Sequence, residues 1–166
     1  STEHWKTVPD IMSLAKGIAG GVPMGVTLES PDILAVIKKG EHSSTFGGNP
    51  LACAAGTATL QALTQDGLIE NAKSMGEKFS NGLKELKSKH TIIREVRGKG
   101  LMIGVELKFE VKDILMEGIK NGLLLLYSGR NILRFLPPLV ISEEDITKTL
   151  QILDKLLTNE ENRRNA

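Results

Sequence analysis

From Leu68 to Lys89 the apolar residues Leu68, Ile69, Ala72, Met75, Phe79, Leu83 and Leu86 recur every three or four positions. Lysines and glutamates fill the gaps, which predicts one long amphipathic helix. Upstream the pattern is shorter and broken by glycine. Ile11–Ala15 and Gly25–Leu28 read as brief strands, Ser30-Pro31 as the start of a short helix to about Lys39, and Asn49-Pro50 as the cap of a helix to about Gln65. Downstream, Ile92–Val96 and Leu101–Leu107 read as strands joined by a turn at Arg97-Gly98-Lys99-Gly100. Val111–Lys120 reads as a helix, and Leu123–Leu126 and Ile132–Phe135 as strands. Ser142-Glu143-Glu144-Asp145 opens a last helix, and the polar tail from Thr158 is expected to fray.

This order suggests two parts with a seam near Gly67. Residues 68–166 have the makings of a small α+β domain introduced by the long helix. Residues 1–67 offer two strands and two helices around a glycine cluster, and read as the tail end of a larger α/β domain. Composition narrows the class. With 21 basic and 20 acidic residues the chain has no electrostatic footprint for nucleic acid or an anionic membrane. One cysteine leaves no disulfide framework and no cysteine metal cluster. No apolar run reaches the ~20 residues of a membrane span. No signal pattern opens the chain, so a cytoplasmic location is the default, and the absent initiator methionine suggests that the true start lies upstream.

Glycine changes the picture most: 17 of 166 residues, with Gly17, Gly20, Gly21 and Gly25 grouped behind Lys16. The order of residues fits neither a P-loop, where glycines precede the lysine, nor a GxGxxG dinucleotide turn. What remains is a lysine at the end of an apolar strand, with glycines that let a bulky group approach the backbone. A partly buried lysine of this kind can form a Schiff base; the plainer alternative is a strand-end lysine reaching into water. His42-Ser43-Ser44-Thr45-Phe46-Gly47-Gly48-Asn49-Pro50 places hydroxyls and a helix N-terminus together, which suits a phosphate monoester or simply a capped loop. Arg134 interrupts the apolar run Ile132–Phe135 and suits a substrate carboxylate, unless it points outward from an edge strand. Cys53 among alanines reads as helix packing. His4 and His90 read as solvent-facing, and no metal site is expected.

In sequence order, Pro9–Gly25 around Lys16, His42–Ala52, Arg97–Gly104 and Leu133–Pro138 resemble the signatures of the pyridoxal-phosphate-dependent class III (ω-amino acid) aminotransferases, in their acetylornithine/ornithine branch. The resemblance implies an α/β fold of the fold-type I enzymes, here the tail of the large domain followed by the small C-terminal α+β domain. It implies pyridoxal 5'-phosphate as cofactor, carried on Lys16 as a Schiff base. Thr45, with Ser44 beside it, would bind the cofactor phosphate, usually across a homodimer interface, and Arg134 would hold a substrate carboxylate. The implied reaction moves an amino group from N-acetylornithine or a similar ω-amine to 2-oxoglutarate. Such an enzyme would serve arginine or lysine biosynthesis.

The resemblance also marks what these residues lack. Members of the family run to ~400 residues, and the acid that pairs with the pyridine nitrogen, the main phosphate loop and the aromatic that stacks on the ring would all lie upstream of Lys16. The 166 residues alone are therefore expected to be inactive. Two other readings stand beside the enzyme: a non-catalytic folding or dimerisation module, and a different pyridoxal-phosphate reaction in the same family.

Overall fold

The computed structural model describes residues 2–165. By its internal packing the chain divides into two units, Ser1–Asp66 and Gly67–Ala166.

In the first unit, strands β1 (Ile11–Leu14) and β2 (Val26–Glu29) pair antiparallel from Ile11↔Glu29 to Leu14↔Val26. A single 3-10 turn, Lys16–Ala19, follows β1 directly. Helix α1 (Pro31–Leu34) lasts one turn and does not extend to Lys39 as the Ser30-Pro31 signal suggested. Leu34 and the following Val36 and Ile37 stay exposed, so no packing rewards a longer helix. Helix α2 (Pro50–Gln65) begins where its sequence predicts: Asn49 accepts from the Ala52 N–H at 2.9 Å, and Pro50 occupies the first turn. The lysine turn lies on the small-residue face of α2. A Cβ on Gly20 would meet Thr59 Oγ1 at 3.2 Å, and one on Gly56 would meet Met24 Sδ at 3.0 Å. Among the described hydrophobic residues of this unit only Ala19 and Ala52 are buried.

The second unit has a complete core. Helix α3 (Leu68–Lys89) buries Phe79, Leu83 and Leu86, the stripe that its spacing predicts. Strands β3 (Ile93–Lys99), β4 (Met102–Leu107), β5 (Leu126–Ser128) and β6 (Ile132–Phe135) form an antiparallel sheet in the order β3-β4-β6-β5. Ile103, Val105, Leu107, Leu133 and Phe135 face the helices, with Phe79 edge-on to Phe135 at 5.1 Å. Each such side chain contributes roughly 1.5–3 kcal/mol by burial. Helix α4 (Lys112–Lys120) and helix α5 (Glu143–Asn165) close the unit. The start of α5 is a reciprocal cap: Asp145 N–H donates to Ser142 Oγ at 3.1 Å, and Ser142 N–H donates to Asp145 Oδ2 at 3.2 Å. The Ser142 hydroxyl and backbone N–H hold the Asp145 carboxyl below its ordinary range. Among the described residues no helix is long and apolar enough to cross a membrane.

Four further local expectations are corrected. The Arg97–Gly100 segment is not a turn: β3 runs through Lys99, and the reversal falls at Gly100-Leu101. Gly98 stays in the strand because a Cβ there would overlap the Met102 carbonyl and lie 2.7 Å from Ile103 Cα, so only glycine permits that approach. β5 begins at Leu126, since the register is set by Leu126↔Arg134. From Thr158 to Asn165 the polar tail is helical rather than frayed, and Ala166 lies outside the described residues. Arg163 reaches Asp113 at 2.6 Å and Glu160 at 2.9 Å, while Arg164 bonds Glu160 and stacks 3.5 Å over the Phe109 ring.

The fourth correction is His90, which is 5% exposed and not solvent-facing. It ends α3 with Nδ1 at 2.8 Å from Glu161 Oε2 and Nε2 at 2.6 Å from Asp154 Oδ1, both carboxylates on α5. The His90 hydrogen bond lowers the Asp154 carboxyl. Burial raises the Glu161 carboxyl, but the His90 bond and the Ile92 and Thr91 backbone N–H groups outweigh it and lower it on balance. Carboxyls depressed in the folded state stabilise above their unfolded values of ~4, and that stability disappears as pH falls through the folded values. We expect His90→Ala to cost about 1–2 kcal/mol at pH 7, and to flatten the acid limb below pH ~4. Urea unfolding of both proteins at pH 7 and pH 3.5 checks this; parallel pH profiles would refute it.

Candidate active site

Lys16 stands where β1 gives way to the 3-10 turn. Its φ is +63°, in the left-handed region that side-chain-bearing residues rarely adopt. Its side chain is exposed and forms no salt bridge among the described residues. A Cβ on Gly17, Gly21 or Gly25 would meet nothing within 4 Å, so the backbone beside the lysine has open space for a bulky group.

Ser44 and Thr45 lie in the loop before α2. Both are exposed, and neither hydroxyl has a hydrogen-bond partner among the described residues. The cap of α2 is already occupied by Asn49, whose Nδ2 also donates to Phe46 O at 2.9 Å. Ser44 lines a groove of about 300 Å³ with Pro23, Met24, Gly25, Gly48 and Cys53. The structure thus brings Ser44 together with the glycine turn that follows Lys16, while Lys16 and Thr45 lie outside that groove. Cys53 is exposed rather than packed, because it sits on the groove side of α2.

Arg134 belongs to the other unit. The order β3-β4-β6-β5 makes β6 an interior strand, which removes the edge-strand alternative. Leu133 and Phe135 point into the core, so Arg134 projects from the opposite face of the sheet, half-buried and without an ion-pair partner among the described residues. Arg97 shares that face but is committed: it donates to Glu106 at 2.8 Å and to Glu95, and Glu106 also accepts from Arg94 at 3.0 Å. These bonds raise the Arg97 guanidinium, with Glu106 the larger cause, and the Arg97 bond lowers the Glu106 carboxyl. This network escaped the sequence reading, because Glu95 and Glu106 adjoin only once the strand register is set.

In the first unit the donor set fits pyridoxal phosphate in kind: a primary amine for an aldehyde, hydroxyls without a partner among the described residues for a phosphate, and open glycine backbone beside the amine. The comparisons agree. Residues 1–157 match the family model described as Aminotransferase class-III. The acetylornithine aminotransferase of Caldanaerobacter subterraneus subsp. tengcongensis is 49% identical over 94% of this chain and 40% of its own length. The [LysW]-aminoadipate semialdehyde/glutamate semialdehyde transaminase of Sulfolobus acidocaldarius is 36% identical over 97% of this chain and 42% of its own. An ornithine aminotransferase structure from Toxoplasma gondii, described with partial occupancy of PLP at its active site, superposes with a TM-score of 0.92 at 34% identity. It covers 99% of this chain and 40% of that one. The chain therefore spans about 40% of the length of the relatives it matches, and shares the α/β fold of the fold-type I aminotransferases. Pyridoxal phosphate is the cofactor of these enzymes. By a family match over nearly its whole length, and by a fold shared with solved members, this chain belongs to the class-III aminotransferases.

Proposed function

We propose that the chain is the lysine-bearing C-terminal portion of an aminotransferase that moves an amino group from N-acetylornithine, or a similar ω-amine, to 2-oxoglutarate. The observation that carries this reading is Lys16, a free amine on a left-handed backbone beside open glycines, inside a class-III sequence. When bound, pyridoxal phosphate supplies the electron sink for the reaction. Lys16 would hold it covalently, and Lys16 Nζ would then carry the proton from the substrate carbon that bears the amine. Thr45 and Ser44 would bind the phosphate through their hydroxyls. Arg134 would take a substrate carboxylate in a planar fork and so orient the amine.

Residues 1–67 would then be the end of the large cofactor-binding domain, and residues 68–166 the connecting helix and small domain. The first unit supports this, since two buried alanines cannot stabilise some 66 residues. It leaves Val8 93%, Phe46 81% and Leu51 72% exposed, an apolar surface that further chain or a second subunit would cover. Phe46 and Leu51 bracket the Thr45 loop, which suits a homodimer in which Thr45 serves the partner's cofactor. The 166 residues alone would be inactive, lacking the acid for the pyridine nitrogen.

Borohydride reduction of the purified protein followed by intact-mass measurement tests the reading. A phosphopyridoxyl adduct on Lys16 is expected, on a longer chain or on this one with an N-terminal companion. A bare 18.0 kDa chain without adduct or companion would instead favour a non-catalytic folding module.

A further inference from the structure

We propose that Gly104 sets the width of the carboxylate subsite, acting as a specificity-determining position through the space it leaves beside Arg134. This rests on the reading of Arg134 as the carboxylate clamp. In the sheet register Gly104 on β4 lies directly opposite Arg134 on β6 and directly opposite Arg97 on β3. The three positions therefore form one row on the sheet face that turns away from the core. Adjacent strands are ~4.8 Å apart, so Arg97 and Arg134 emerge about 10 Å from each other, with no side chain on the residue between them and Ile132 Cγ2 bordering the gap.

The slot is polarised. Its Arg97 wall is neutralised by Glu95 and Glu106, whereas its Arg134 wall has no ion-pair partner among the described residues. A carboxylate entering over Gly104 meets one uncommitted planar fork at the same height along the strands. Nothing about backbone conformation demands glycine here, because Gly104 is not among the positive-φ residues. The available space does: a Cβ at this position would already lie 3.3 Å from Ile132 Cγ2, and a branched side chain would fill the row beside the guanidinium. On this proposal a carboxylate reaches the Arg134 fork past Ile132 only while position 104 carries no side chain.

The test uses the cofactor-loaded enzyme assembled around this chain, with Gly104→Ala, Gly104→Val and Arg134→Ala. Glutarate, an unreactive dicarboxylate, is titrated by its effect on the cofactor's absorbance. Turnover is followed separately with 2-oxoglutarate and with butanal, an acceptor that has no carboxylate. Gly104→Val is expected to weaken glutarate by about 30-fold, within the range for small steric changes in a tight pocket, and Gly104→Ala by a smaller factor of about three. KM for 2-oxoglutarate should rise in step, with kcat and butanal turnover unchanged within about twofold. If Arg134→Ala weakens glutarate but both Gly104 variants bind it normally, the role of Gly104 falls while the clamp stands. If Arg134→Ala itself leaves glutarate unaffected, both readings fall. Equal loss with butanal and 2-oxoglutarate would make Gly104 merely structural, and Gly104→Ala decides the matter should the valine variant fail to fold.

Discussion

Gly76→Ala is expected to destabilise the protein by about 2–3 kcal/mol, while Gly82→Ala, on the same helix, is expected to be nearly neutral. Helix propensity alone predicts a gain of ~1 kcal/mol at both sites, since alanine orders at lower entropic cost than glycine. Packing separates them. At Gly76 a Cβ would overlap the carbonyl group of Gly100 and come within 2.7 Å of its Cα. Gly100 is backbone in the β3–β4 reversal and is itself held at φ +54°, so neither side can yield without shifting the hairpin. At Gly82 the obstructing atoms all belong to the Leu150 side chain, Cδ1 overlapping most and Cδ2 and Cγ at 3.2 and 3.3 Å, and a rotamer change with a small shift of this partly buried leucine relieves them. Urea midpoints for the two variants decide between propensity and packing. Equal shifts would show that α3 does not press its glycine face onto the hairpin.

The same contrast explains how much of the fold was legible. Helices α2 and α3 were read within a residue, because Asn49-Pro50 is a strong start signal and the Ala72–Leu86 stripe repeats over several turns. The family was legible from four short segments in a fixed order, and with it the α/β fold and the cofactor. Features that depend on distant partners were not. Gly98 looks like a turn residue until Met102 is laid against it, and His90 looks exposed until α5 brings Asp154 and Glu161 to both ring nitrogens. The polar tail reads as frayed because its anchors, Asp113 and Phe109, lie some fifty residues away in sequence. Within the candidate site, Lys16, Ser44, Thr45 and Arg134 carried motif signals. Arg97, Gly104 and Arg134 also lie in family segments, but their alignment in one row is not legible there, since register alone assembles it.

Lys16→Ala and Lys16→Gly are expected to lose the borohydride-fixed adduct completely and to lower amino transfer by at least about a thousandfold, yet to differ from each other in stability. Both remove the amine, so the chemistry cannot distinguish them. The backbone can. A residue with a Cβ at φ +63° bears a strain of ~1–2 kcal/mol that glycine does not. Glycine returns about 0.5–1 kcal/mol of that through the freer unfolded chain. Lys16→Gly should therefore exceed Lys16→Ala by about 0.5–1 kcal/mol in thermal or urea unfolding. Retention of the adduct in either variant would move the cofactor lysine elsewhere. Equal stability would mean that the left-handed turn costs nothing. If both outcomes appear, the strain sits on the residue whose amine must stand clear of the sheet, in a turn whose Gly20 and Ile18 lie against Thr59 and Gly56 of α2.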